Sequence, residues 1–180
     1  RSGLTNSGSA YIFRRTGTDT WNLSTKITAS DAAADDAFGH SVAISGDYAI
    51  AGAYYDDDNG SDSGSAYIFR RTGTNTWDDV TKITASDGAA DDYFGITVAI
   101  SGDRAIVGAR GDDSSGSTYV FRRTGTNTWD GGTKITPSDG AAGDAFGTSV
   151  AIDGGYAIVG AEADDDNGNA SGSAYLFNRP

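Results

Sequence analysis

One motif written four times constrains this chain more than anything else in it. Ser-Gly-Ser-Ala-Tyr-Ile-Phe-Arg-Arg begins at Ser7 and again at Ser63, and returns in altered form from Ser115 and from Ser171. Its tyrosines, Tyr11, Tyr67, Tyr119 and Tyr175, are spaced by 56, 52 and 56 residues. Trp21, Trp77 and Trp129 keep the 56 and 52 steps, as do Phe38-Gly39, Phe94-Gly95 and Phe146-Gly147. Self-similarity at such a period marks a repeat architecture, in which each unit buries its apolar face only by stacking on the next. The four-residue difference falls in an Asp/Gly/Ser segment: Ala53 to Tyr67 is 14 residues, Ala109 to Tyr119 is 10. Length variation belongs in a surface loop between fixed core elements.

Each unit reads as four short strands. Ser41–Ser45 is followed by the tight-turn pair Gly46-Asp47 and by Tyr48–Ala53. The acidic loop Tyr54–Gly64 leads to Ser65–Arg70, and a second turn at Thr72–Asn75 leads past Trp77 to Thr81–Thr84. These runs are β-branched and aromatic, turn residues bound them, and none has a helical period. Composition agrees. Of 25 acidic residues all but Glu162 are Asp, a residue of turns and caps, and Leu occurs only at positions 4, 23 and 176. Four strands in about 50 residues is the size of a propeller blade. The fold class is therefore all-β: a propeller-type array of four-stranded antiparallel blades, about three repeats, not closed by this chain alone. Residues 1–37 supply strands three and four of a preceding blade. Residues 38–93 and 94–145 are blade repeats, and residues 146–180 a partial one, in a single continuous repeat domain. A spare fourth strand near Leu23–Thr28 could close the last blade, but the spare third at Ala10–Phe13 would compete with Ala174–Phe177.

Phe-Gly-x-x-Val-Ala-Ile-x-Gly-Asp, then Ala-Ile-Val-Gly-Ala, an Asp-rich loop and Tyr-Val-Phe resembles the FG-GAP repeat, which builds the propeller heads of integrin α chains and many microbial surface proteins. The resemblance spans essentially the whole chain. It departs from the integrin form in two places. Tyr54, Arg110 and Glu162 stand where a Pro would follow Gly-Ala. The Asp cluster lies between strands two and three, not one and two, so integrin calcium sites do not carry over position by position.

The formal charge of −12 and thirteen scattered bases exclude a nucleic-acid or anionic-membrane partner. No apolar run reaches the length of a membrane-spanning helix, and without Cys there is no thiol chemistry. With no Met at position 1, the chain reads as a mature or cut product, or as a window of something longer. Phe38, Phe94 and Phe146, with Trp21, Trp77 and Trp129, are the expected inter-blade anchors, the Gly after each Phe permitting close backbone approach. Asp56, Asp58 and Asp62, with Asp164 and Asp166, are candidate calcium ligands, set against a reading as solvated turns; the shorter loop at Asp112-Asp113 is not expected to bind. Asp35-Asp36, Asp91-Asp92 and Asp144 are expected to cap the turn into the inner strand. Sequons at Asn22, Asn59 and Asn169 permit glycosylation. One Arg of each pair Arg14-Arg15, Arg70-Arg71 and Arg122-Arg123 should face the neighbouring blade and meet an Asp. Arg110-Gly111-Asp112 spells a tripeptide that integrins bind, and chance accounts for it; His40 reads as a surface substitution.

Catalysis needs one asymmetric constellation, whereas almost every polar residue here recurs in each repeat as scaffold does. The function expected is a non-enzymatic extracellular or cell-surface structural or adhesive module, either part of a longer surface protein or part of a homo-oligomeric or fibrous assembly, such as a six-bladed ring of two copies or a head-to-tail open fibre. Its partners would be other copies of itself, flanking repeats, extracellular glycans or surface proteins, and calcium its only candidate cofactor. The competing expectation is a glycan-binding lectin, using the repeated Trp and Tyr to stack on sugars.

Overall fold

The computed structural model describes residues 5–178, so Leu4 and Arg179 lie outside the described residues. Thirteen strands and no helix are present there, in four antiparallel sheets. A two-stranded sheet pairs β1 (Ala10–Arg15) with β2 (Trp21–Ile27). The first full blade runs β3 (Val42–Ser45), β4 (Tyr48–Ala53), β5 (Ser65–Gly73), β6 (Thr76–Ile83), hydrogen-bonded in that order. The second runs β7 (Phe94–Ser101), β8 (Arg104–Ala109), β9 (Ser117–Arg122), β10 (Thr133–Ile135). A C-terminal sheet holds β11 (Phe146–Asp153), β12 (Tyr156–Ala161) and β13 (Ser173–Asn178). The sheets do not close: β2 pairs with β1, and β13 stays an edge strand.

The fourth strand differs from the sequence reading. It starts at the Trp or just before it, at Thr76 and Trp21, several residues early. In the second blade it shrinks to three residues, because Gly131-Gly132 stand where Asp79-Val80 stand in the first. Glycine has no side chain to pack and loses more entropy in a strand.

Each seam between blades is a core. Tyr48, Ile50, Ala66 and Ile68 of the first blade bury against Val98, Ile100, Val107, Phe121 and Trp129 of the second. Ile106 and Val120 of the second meet Phe146, Ala157 and Val159 of the C-terminal sheet. Ile27 and Ala29 meet Phe38, Ala51, Tyr67 and Trp77 at the N-terminal seam. Phe38, Phe94 and Phe146 are all buried. The Phe94 ring meets Tyr119 and Phe121 edge-on at 5.5 and 6.0 Å, while its backbone bridges Gly64 of the preceding blade. Trp77 and Trp129 are buried, but Trp21 is 61% exposed. That corrects its reading as an anchor: its own sheet lacks the first two strands, and no described blade precedes it.

The repeated glycines are explained at the same seams. Gly95 takes a left-handed conformation (φ 92), and a Cβ there would run into the Ser65 carbonyl oxygen of the blade before. Gly52, in mid-strand, lies against the Gly95 carbonyl so closely that no side chain fits. Gly108 meets Gly147 in the same way. The Gly of Phe-Gly thus rests on the Gly of Gly-Ala across each full seam.

Candidate functional site

At one edge of each full blade the loop between strands two and three meets the fourth strand. β5 and β6 pair Tyr67 with Lys82, and β9 and β10 pair Tyr119 with Lys134. Alternation along a strand puts these side chains on one face. The Lys82 Nζ lies 2.8 Å from Asp31, 3.0 Å from Asp56 and 2.5 Å from Asp58. Lys134 repeats this with Asp87 at 2.8 Å, Asp112 at 2.8 Å and Asp113 at 2.6 Å. Beneath each ammonium the tyrosine hydroxyl, with one proton to donate, lies within hydrogen-bond distance of two of the carboxylates. Tyr67 lies 2.7 Å from Asp31 and 3.0 Å from Asp56; Tyr119 lies 2.6 Å from Asp87 and from Asp112. The nest is thus one ammonium, one phenol and three carboxylates, with Asp56 and Asp112 buried and the outer aspartates exposed.

The electrostatics follow. Burial works against a charged Lys82, but hydrogen bonds to Asp31, Asp58, Tyr67 and Asp56 outweigh it and hold the ammonium above the usual lysine range. Lys134 is raised through the same balance. Hydrogen bonds from Lys134 and Tyr119 hold Asp87 below the usual carboxylate range. Burial and the Asp31 hydrogen bond push the Tyr67 phenol up. Both groups keep one protonation state across physiological pH.

A third nest is incomplete. Tyr175 lies 2.9 Å from Asp139 and 2.8 Å from Asp164, as its counterparts do, but among the described residues the C-terminal sheet has no fourth strand and so no lysine there. The Tyr175 hydrogen bond holds Asp164 down, while repulsion from Asp164 pushes Asp166 up. Among the described residues only the first two nests gather three carboxylates within 4.8 Å.

This geometry rearranges the acidic residues expected to act together. Asp56 and Asp58 do converge, but with Asp31, which precedes the blade, and not with Asp62. Asp62 sits in a left-handed turn (φ 54), its amide donating to Asp57 and its carbonyl accepting from Tyr93. The shorter loop, expected to differ, builds the same nest from Asp112 and Asp113. A dication would have to displace an ammonium already bonded to all three carboxylates, so the two complete nests do not fit calcium as they stand. Asp31 and the lysines were missed, though the signal was there: Asp31, Asp87 and Asp139, like Lys26, Lys82 and Lys134, step with the repeat.

The remaining candidates sort simply. Asp36, Asp92 and Asp144 each accept from the amide three residues earlier, Ala33, Ala89 and Ala141, at 2.6 Å. Arg70 pairs with Asp79 at 2.8 Å and Arg71 with Asp47, both within the blade. Arg123 does cross the seam, yet it meets the Tyr48 ring at 4.4 Å and its hydroxyl at 2.9 Å rather than an Asp. Asp112 is buried in its nest, so Arg110-Gly111-Asp112 is not presented as a ligand. His40 is exposed and meets the Tyr54 ring at 4.6 Å in a tilted contact. Asn22, Asn59 and Asn169 are exposed.

A family model described as the FG-GAP repeat matches residues 21–69, 77–121 and 129–177. The chain belongs to the FG-GAP repeat family. No curated protein matches the chain. Each FG-GAP match begins at a Trp (Trp21, Trp77 or Trp129) and ends in the third strand of the next blade, so the family unit straddles a seam. In these FG-GAP units the Phe-Gly and Gly-Ala pairs are the two sides of the contact described above, and the Tyr–Asp–Lys nest ties the fourth strand to its loop.

Proposed function

We propose that this FG-GAP chain is a non-enzymatic structural or adhesive module of the extracellular space or cell surface, whose partners are further blades of its own kind. The observation that carries this reading is the state of its two end faces. Val42 is 57% exposed where its counterpart Val98 is 5%, and Leu176 is 79% exposed where Ile68 is fully buried. Tyr11, Phe13, Trp21 and Ile44 at one end, and Tyr156 and Ile158 at the other, are exposed likewise. These are the residue types that bury each internal seam, and contiguous apolar faces of this kind mark interaction surfaces. No helix among the described residues is long and apolar enough to cross a membrane. The polar groups that recur are satisfied in the nests, which supports a scaffold rather than a reaction centre.

The lectin reading loses its support in the repeat itself, because Tyr67, Tyr119, Trp77 and Trp129 are buried and offer no ring to a sugar. Light scattering on the purified chain tests the proposal. Species heavier than the 18.5 kDa monomer are expected. Val42→Asp or Leu176→Asp should shift them to monomer, while Asp57→Lys on an exposed loop should not. A wild-type chain that stays monomeric at high concentration removes the proposal.

A further inference from the structure

Tyr67, Tyr119, Trp77 and Trp129, which recur with the repeat, are buried. A second set of rings does not recur and lies at the surface. His40 stands where the other units have Ile96 and Thr148, and Tyr54 where they have Arg110 and Glu162. Tyr55 corresponds to Gly111 and Ala163, and Tyr93 to Ala37 and Ala145. These residues come from separate segments: the turn before β3, the loop after β4, the turn before β7 and the loop after β8.

The fold gathers them at the seam between the two full blades. The Tyr54 and Tyr55 ring centres are 4.0 Å apart, His40 meets Tyr54 at 4.6 Å, and Tyr93 lies 6.4 and 6.1 Å from the two tyrosines. The Arg110 guanidinium sits over the Tyr93 ring at 5.4 Å. Tyr55 is 38% exposed, and His40 and Arg110 are exposed with it. The other units do without these rings. Tyr93 holds a left-handed turn (φ 56) that Ala37 (φ 56) and Ala145 (φ 57) hold elsewhere. A bulky residue is an outlier in that region, and such outliers gather at functional sites.

The chemistry of the patch selects its ligand. Ring faces with hydroxyls at their edges suit a molecule that is itself apolar on one face and polar at its rim. The Tyr55 hydrogen bond, with burial, pushes the Tyr54 phenol up to about 12, so it keeps its proton. Charges of both signs act here: burial and the carboxylates of Asp91 and Asp62 push the Tyr93 phenol up, while Arg110 pulls it down. A charged ligand of either sign therefore meets a like charge. A neutral polyhydroxyl ligand uses both, its hydroxyls donating to Asp91 and accepting from Arg110. A folded partner needs far more surface, since a standard interface takes about 800 Å² from each protein.

We propose that His40, Tyr54, Tyr55, Tyr93 and Arg110 form one binding site for a neutral saccharide, set across the seam of the two full blades. The C–H face of a sugar ring lies on the tyrosines, and Arg110 and Asp91 hold its hydroxyls. The site adds a partner to the adhesive reading above. It lies at an internal seam, away from the end faces that carry self-association, so each can fail without the other.

A glycan array probed with the purified chain, followed by calorimetric titration of the strongest hit, tests the site. Neutral glycans should bind in the millimolar-to-micromolar range, and acidic glycans and hexaglutamate more weakly. Tyr55→Ala and Tyr93→Ala install what the repeat already carries at positions 163, 37 and 145, so the fold should hold, and an unchanged melting midpoint checks it. Each should weaken the hit roughly tenfold, as loss of a central aromatic contact does. Tyr156→Ala, which removes an exposed ring outside the cluster, should leave it unchanged. Val42→Asp should bind as wild type does, which separates this site from self-association. No neutral glycan bound at millimolar concentration, a hit indifferent to Tyr55 and Tyr93, or a preference for acidic glycans or hexaglutamate overturns the site. Should both alanine variants melt lower, Arg110→Met, with every ring in place, decides: weaker binding upholds the site and equal binding overturns it.

Discussion

At the scale of single residues the decisive group is the fourth-strand lysine. Three carboxylates within 4.8 Å repel one another, and the Lys82 ammonium is what holds them together. The Asp56 side chain is only 6% exposed, so removing its cation leaves a buried unpaired charge. Breaking a buried pair costs about 3–5 kcal/mol. The exposure of Asp31 and Asp58 discounts that to about 2 kcal/mol for Lys82→Met. Thermal melts with calcium and then with chelator give a sharper result. The wild-type midpoint should be indifferent to calcium. Lys82→Met, with its ammonium gone and its carboxylates free to take a dication, should melt lower in chelator and recover with calcium. A site at a hundredfold excess over its Kd contributes about 2.7 kcal/mol. A wild-type midpoint that rises with calcium would show that the dication displaces the lysine.

At the scale of elements, the seam is a contact between two backbones. Gly95 supports it in two ways, by its left-handed φ and by its closeness to the Ser65 carbonyl. A side chain held in that conformation costs about 1–3 kcal/mol before any clash. Gly95→Ala should therefore destabilise the chain by more than about 2 kcal/mol, and Gly102→Ala, at an open turn with nothing within 4 Å of its added methyl, by about 1 kcal/mol. Urea denaturation of the pair measures the difference. Equal midpoints would mean that the blades are not held at the distance described. The four-strand blade and its loop of variable length were legible in the sequence. The early start of β6 at Thr76 was not. The turn residues Thr74-Asn75 gave no sign that Trp77 is drawn into a strand by burial at the N-terminal seam.

At the scale of the whole molecule, stability is a sum over blades and seams, as in other repeat arrays. The first and second full blades each have a seam on both faces, whereas the β1–β2 sheet and the C-terminal sheet have one each. Amide hydrogen exchange should find β4, β5, β8 and β9 most protected and β1, β2 and β13 least, by orders of magnitude in rate. Uniform protection along the chain would mean that the ends are covered, and by the same faces that leave Trp21 and Leu176 exposed here.

The sequence by itself determined the repeat, the strands and the family, because period, turn residues and aromatic spacing are local properties that survive in one dimension. It also held the recurring Asp31 and Lys82, but not their meeting. Those two are 51 residues apart and belong to different sheets' surroundings. Only stacking brings the segment before a blade against its outer strand, and so only the tertiary structure decided that the acidic loops close on an ammonium. The same holds for the ends: the sequence shows that Ser7–Phe13 and Ser171–Phe177 match, while which of their edges and faces stay uncovered depends on where every other strand has gone.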